Sequence, residues 1–282
     1  MVPLDWFWCM IGLSFVCLVW LPYIVLHGYL FIGYTFFLAF YLTWKPGHST
    51  RFRSLACWDY FLNTYFAFTA KGPGAHLVNK ETVNPQKQYM FAAHPHGLFA
   101  SYSSFFVLNA HLTHIRCVST SLQMYIPLIK ELVCLGGAIP ANKTDIINTL
   151  ECGDSVMITP GGLREVLTRQ ETYTQHHGFL KIAKTTNVQV VPVYVKGVKE
   201  LYSVYLCWPW LQSLVLSSCL YPLIVFSSGH PWVPFWPKKP AKGIELWFGR
   251  PRYIRGNIKD EAESFYSTIG DLENEAFNKE TK

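Results

Sequence analysis

The chain has 282 residues, half of them hydrophobic and 16% aromatic. Only 15% are charged, against roughly 25% in an ordinary soluble domain, and the mean hydropathy is positive at +0.17. That balance argues against a freely soluble enzyme and for a membrane partner. The net charge of +6 suits anionic lipid or phosphate-bearing ligands better than a nucleic-acid groove, so no nucleic-acid partner is expected.

From Trp6 to Trp44 there is no charged residue, a run about twice the ~20 residues of one helical span. It is too long for a signal peptide, and "MVPLD" offers no basic start. Pro22 and His27-Gly28 stand near its middle. A membrane-embedded helical hairpin over residues 1–50 is therefore expected, with one tilted span plus an interfacial helix as the alternative. Lys45, Arg51 and Arg53 follow the run, which places the remainder of the chain in the cytosol. Residues 51–85 are expected as a linker or interfacial segment.

Between residues 86 and 200 short apolar runs alternate with helical patterns. "QYMFAA" predicts a strand, "LFASYSSFFVLNA" a helix and "IRCVS" a strand. "YIPLIKELVCLGG" predicts a helix stopped by Gly136-Gly137, and "TDIINTLECG" another ending at Gly153. "DSVMITPGG" is a strand entering a turn, "GFLKIAKTTN" a helix and "VQVVPVYV" a buried strand. This alternation predicts an α/β core with a mostly parallel, mixed sheet flanked by helices. Sites in such sheets lie in loops at the carboxyl ends of strands, where His94-Pro95-His96-Gly97 and "TPGGLRE" both fall.

Residues 201–237 again carry no Lys, Arg, Asp or Glu, but five prolines interrupt them. They are expected as an apolar membrane-associated flap. All ten tryptophans avoid residues 59–207, which fits interfacial flanks around a central domain. Residues 238–282 are expected to complete the core with a basic tract, "KKPAKGIELWFGRPRYIR", and a polar tail. The eight cysteines form no CxxC pair and read as buried reduced thiols.

Three readings of His94 and His96 compete. As metal ligands they would need partners such as His111, His114, His176 or His177, but His-Pro-His splays the two rings and no HExxH occurs, so no metal is expected. As a plain turn, the rings would cap backbone groups. As an acid/base centre, one imidazole would serve as general base, and it would need a carboxylate from another loop at the same edge of the sheet. Glu165 is the candidate; a helix N-terminal residue is its plainer reading. No GxSxG elbow supports a serine hydrolase.

Several of these segments, in order, resemble the diacylglycerol acyltransferase 2 family, which includes monoacylglycerol acyltransferases and wax-ester synthases. They are "YMFAAHPHG"; the stretch from Arg116 through Pro127, Leu128, Glu131, Gly136, Gly137 and Pro140; Gly161, Gly162 and Glu165 of "PGGLRE"; Gly178, Phe179, Lys181, Ala183 and Val191–Val193; and "FGRPRYI". Two segments depart from the family pattern: "TQHHGF" has His176-His177 where the family is basic, and "VKGVKELY" follows the Val-Pro-Val strand. In the wider glycerolipid acyltransferase superfamily the base sits in HxxxxD, but the fifth residue after His96 is Ser101 and after His94 is Phe99. The resemblance implies that Glu165 fills that gap.

What it implies is a glycerolipid-acyltransferase-like fold and acyl transfer from acyl-CoA, a co-substrate rather than a cofactor, to a lipid alcohol. Diacylglycerol or monoacylglycerol is the first choice of acceptor, a fatty alcohol the second. His96 would be the base, Glu165 would hold its ring and His94 would support. Gly97, Gly161 and Gly162 would offer main-chain donors to the oxyanion, and Arg116 and Lys181 would meet CoA phosphates. The implied setting is the endoplasmic reticulum membrane or a lipid droplet, with membrane lipids as partners and room for a homo-oligomer. A non-enzymatic lipid-binding or membrane-shaping protein on the same fold is the rival, though lipid burial alone needs neither His nor Glu.

Overall fold

The structure, a computed structural model, describes residues 75–97, 115–121, 137–162, 176–206, 224–227 and 244–279, with Gly33, Thr35, Phe36, Met124, Lys130, Val133, Cys134 and Glu165. Nearly all of the expected hairpin over 1–50, the helix after Gly97, most of 201–237, and Pro127, Leu128, Glu131 and Gly136 lie outside those residues. Among the described residues no helix is long and apolar enough to cross a membrane.

Seven strands form the main sheet. In chain order they are β1 (Ala75–Val78), β2 (Tyr89–His94), β3 (Ile115–Ser119), β4 (Ile139–Pro140), β5 (Ser155–Ile158), β6 (Gln189–Lys196) and β9 (Ile244–Phe248). Their spatial order is β1-β9-β6-β2-β5-β3-β4. Every neighbouring pair is parallel except β6 with β9. A separate antiparallel pair, β7 (Ser203–Leu206) with β8 (Ile224–Ser227), falls within the stretch expected as an apolar flap.

β2 occupies the middle of the sheet, which explains its composition. A strand covered on both faces is apolar at successive positions instead of alternating, and Tyr89 through His94 are all buried. Alternate side chains still point to opposite faces. Met90 and Ala92 join one hydrophobic core cluster with the helices, whereas Phe91 meets Phe248 edge-on at 6.3 Å. His94 shares the face of Met90 and Ala92. The chain leaves β2 for β3 and β4, returns through β5, and crosses to β6 on β2's other side. The strand order thus reverses around β2, and the carboxyl end of such a strand opens onto the crevice where ligands gather in α/β sheets.

Among the described residues three helices pack on the sheet: α1 (Lys143–Glu151), α2 (Gly178–Thr186) and α3 (Ile258–Asn278). Asn142 caps α1 by accepting from the Asp145 N–H at 2.8 Å. Asn187 ends α2 in the left-handed region at φ 52. α3 corrects the expectation of a polar tail. Its buried residues Ala262, Phe265, Ile269, Leu272 and Ala276 recur at helical spacing. Asn257 caps its start, and the Glu261 carboxylate accepts from the Arg255 and Gly256 N–H groups. The 51–85 linker is corrected likewise, because β1 within it is an edge strand of the sheet, paired with β9.

Phe265 joins these helices to the site. It is fully buried, lies edge-on to Phe179 at 5.2 Å and to His94 at 6.1 Å, and carries the Arg252 guanidinium at 5.7 Å. Phe265→Ala is expected to cost about 3–5 kcal/mol, read as a lowered urea midpoint. A cost under about 1 kcal/mol would show that the helix does not close the core.

Candidate active site

β2 ends on His94, and the His94–Pro95 bond is cis. His94 is completely buried. Its Nδ1 lies 2.6 Å from Glu165 Oε1. The other carboxylate oxygen, Oε2, accepts from the main-chain N–H of His96 at 2.6 Å. One carboxylate therefore ties the strand end to the turn that follows it. An ionised carboxylate only accepts, so the His94 proton sits on Nδ1 and Nε2 carries the lone pair. That Nε2 is buried and makes no hydrogen bond. A buried carboxylate is costly unless its lone pairs are met by donors. Both oxygens of Glu165 are engaged, which leaves His94 Nε2 as the bare atom of the pair.

His96 is half-buried, and its Nδ1 donates to the Gly97 carbonyl at 2.5 Å. This also leaves its Nε2 with a lone pair. Burial pushes the His96 imidazole below its ordinary value of 6.5, although the Gly97 carbonyl and the Glu165 charge oppose the shift. The unfolded chain then binds more protons than the folded one as the pH falls below 6.5, so stability is full above that value and declines beneath it. The melting temperature is expected to fall with pH in that window, and His96→Asn to flatten the fall.

The glycines explain the motif spacing. Gly97 has φ +66, and a Cβ there would stand 2.5 Å from Val198 Cγ2, in the turn after β6. At Gly161 a Cβ would collide with the Glu165 carboxylate, so only glycine lets the carboxylate fold back over the turn. The Gly162 N–H donates to Thr159 O at 3.1 Å and the Glu165 N–H to Gly162 O at 3.3 Å. The turn after β5 thus coils directly into the residue that grips β2. Gly161→Ala is expected to push the carboxylate off His94 and lower turnover by about 10²-fold, the cost of roughly 1 Å of misplacement. A labelled acyl-transfer assay on the folded variant reads this.

The structure therefore brings together His94, His96, Gly97, Gly161, Gly162 and Glu165. It differs from the sequence expectation in one pairing, since the ring that Glu165 holds is His94's and its contact with His96 is to the main chain. Gly162 is also corrected as an oxyanion donor, because Thr159 already takes its N–H. Arg116 lies elsewhere. It pairs with Val156, and Val156 with Met90, four residues below His94 or about 13 Å along the strand. Its Nε donates to Asp154 at 2.8 Å. Lys181 is exposed in the first turn of α2, at the site's end of the fold. Among the described residues no group of three or more His, Cys, Asp or Glu side chains could hold a metal, and Cys117, Cys134 and Cys152 are reduced thiols outside any disulfide.

α3 supplies a neighbour that sequence reasoning missed. The Tyr266 ring meets His94 edge-on at 5.6 Å and lies tilted to His177 at 6.4 Å, and its hydroxyl donates to the His176 carbonyl at 3.3 Å. His176 Nδ1 in turn donates to Pro160 O at 2.9 Å. The signal was the apolar spacing of 262, 265, 269, 272 and 276, which places residue 266 beside that buried stripe.

The chain is similar to known proteins in sequence and in fold. The family model described as "Diacylglycerol acyltransferase" matches residues 22–208, more than half of the chain. Mouse 2-acylglycerol O-acyltransferase 1 is 28% identical over 221 residues, 71% of this chain and 63% of that protein. Diacylglycerol O-acyltransferase 2 of Xenopus laevis is 26% identical over 265 residues, 82% of this chain and 71% of that protein. The crystal structure of the 1-acyl-sn-glycerophosphate (LPA) acyltransferase PlsC from Thermotoga maritima shares the fold, with a TM-score of 0.52 at 13% identity, covering 93% of this chain and 91% of that one. Against the mouse relative the chain spans just under two thirds of the partner's length. On the extent of the family match, the chain belongs to the diacylglycerol acyltransferase family.

Proposed function

We propose that the chain transfers an acyl group from acyl-CoA to the hydroxyl of a glycerolipid, with diacylglycerol or monoacylglycerol as acceptor. The observation that carries the reading is the buried His94–Glu165 pair with its bare Nε2, at the carboxyl end of the central strand. A protein that only sheltered lipid would gain nothing from burying an ionisable pair there, since an apolar pair of similar volume costs less.

In the proposed step, His94 Nε2 takes the proton of the acceptor hydroxyl while Nδ1–H stays on Glu165. The acceptor oxygen bonds to the thioester carbonyl carbon. The resulting oxyanion is met by main-chain N–H groups, for which Gly97 and Gly161 are the candidates once Gly162 is set aside. The C–S bond then breaks, and the proton passes from His94 to the CoA thiolate. Glu165 offsets the imidazolium charge between these events. Lys181, exposed at the same end of the fold, is the cation offered to CoA phosphate.

The charge-free run before Lys45 supports a membrane setting, with the core on the cytosolic face of the endoplasmic reticulum or on lipid droplets. The test is acyl transfer in microsomes with labelled acyl-CoA and a panel of mono- and diacylglycerols, fatty alcohols and lysophospholipids. Labelled di- or triacylglycerol is the expected product. Transfer to none of the panel would sink the reading.

A further inference from the structure

We propose that Tyr266 is a positioning residue for the acid/base pair: its ring edge on His94 and its hydroxyl on the His176 carbonyl hold the imidazole in the plane that faces Glu165. This deepens the acyltransferase reading and rests on it. The helix α3 that carries Tyr266 lies beyond residues 22–208, the span that the family model matches.

One ring nitrogen of His94 is tethered and the other is not. Its Nδ1 is fixed by one 2.6 Å bond to Glu165, while Nε2 makes none. A ring held by a single hydrogen bond keeps the freedom to turn about that bond. Packing must supply the other restraint, and it comes from two consecutive residues of α3. Phe265 meets the ring at 6.1 Å with planes at 62°, and Tyr266 at 5.6 Å with planes at 70°. Aromatic edges at these separations favour this crossed arrangement over a parallel slide.

Phe265 is fixed in the core, but Tyr266 is only part-buried and needs its own anchor. The hydroxyl provides it through His176 O at 3.3 Å, and His176 is itself bonded to Pro160 of the turn that leads into Glu165. β2, the turn after β5, the loop before α2, and α3 thus close a ring of contacts around His94. Burial, and after it the Glu165 charge, push the Tyr266 phenol up, so it remains a proton donor throughout the working pH range.

The experiment compares Tyr266→Leu with Tyr266→Phe in the full-length chain in microsomes. Tyr266→Leu is expected to lower kcat by about 10²-fold with the KM for acyl-CoA unchanged, the signature of misorientation. Tyr266→Phe keeps the ring edge but loses the hydroxyl anchor, and is expected to restore only part of that loss. A second readout needs no turnover: carbethoxylation of His94 by diethyl pyrocarbonate, resolved from His96 by fragment mass spectrometry. His94 is expected to be protected in the unsubstituted chain and to react at least tenfold faster in Tyr266→Leu, while the buried Cys134 thiol stays closed to N-ethylmaleimide in both. Should Tyr266→Leu fail to fold, Tyr266→Met carries the same expectations. A folded variant with unchanged kcat and a protected His94 overturns the proposal. Loss of kcat only in proportion to loss of folded protein, with Cys134 opened, overturns it too, because Tyr266 would then be merely structural. Failure of the unsubstituted chain to transfer acyl groups would sink the acyltransferase reading instead, and the His94 protection result would still decide the role of Tyr266.

Discussion

Glu165→Gln is expected to lower kcat for acyl transfer by about 10³–10⁴-fold, the scale on which a catalytic imidazole loses function when its carboxylate becomes an amide. The geometry gives the reason. Glu165 accepts from two donors at once, His94 Nδ1 and the His96 main-chain N–H, each at 2.6 Å. An amide of the same shape has one accepting oxygen and one NH₂ group. If the oxygen faces His96, the NH₂ meets His94 Nδ1 and forces the proton onto Nε2, the atom that must take it from the acceptor. If the oxygen faces His94, the His96 N–H is left buried against another donor. The first choice blocks the chemistry, and the second costs about 1–3 kcal/mol of stability.

Glu165→Asp separates position from charge. It keeps both accepting oxygens but withdraws them by one methylene, so it is expected to recover part of the loss while Glu165→Gln does not. Single-turnover assays with labelled acyl-CoA, beside thermal unfolding of each variant, distinguish the arms. Turnover by Glu165→Gln within about tenfold of the unsubstituted chain would remove Glu165 from the mechanism, since a tenfold change is only about 1.4 kcal/mol.

Much of the core was legible because its signals are local. "IRCVS" is β3 to the residue, and the helix over "GFLKIAKTTN" ends where Asn187 supplies the left-handed cap. Glu165 is legible from a chemical requirement: an imidazole base needs a carboxylate from another loop at the same edge of the sheet. What stayed hidden rests on contacts that side-chain identity does not encode. The His96 N–H that holds Glu165 belongs to the main chain and has no letter in the sequence. β1 and β9 meet across some 170 residues of chain, and β9 reverses direction against β6, a choice that no local pattern fixes. α3 was readable but masked. Asp260, Glu261, Glu263, Asp271, Glu273 and Glu275 give its stretch a polar character, and the buried stripe shows only when residues are counted by helical period.

The two imidazoles carry the other large expected effect, and the contrast between them decides which one moves the proton. From the sequence alone His96 had the better claim. The structure gives the carboxylate to the His94 ring, so His94→Asn is expected to lower kcat by about 10²–10⁴-fold. His96→Asn is expected to lower it by no more than about tenfold. Asparagine suits the comparison because its amide N–H can replace the Nδ1 donor in both places, toward Glu165 Oε1 in one and the Gly97 carbonyl in the other. Neither variant then leaves a buried acceptor bare, and the lost Nε2 is what the assay compares. Stability follows the same logic. Removing the His94 ring altogether, as in His94→Ala, leaves Glu165 buried without its partner, a loss on the scale of about 3–5 kcal/mol for a broken buried pair, so that variant would confuse unfolding with lost chemistry. If His96→Asn proves the more damaged of the two, the base is the half-buried imidazole whose pKa burial has lowered. The His94–Glu165 pair would then serve to fix the turn on which that base stands.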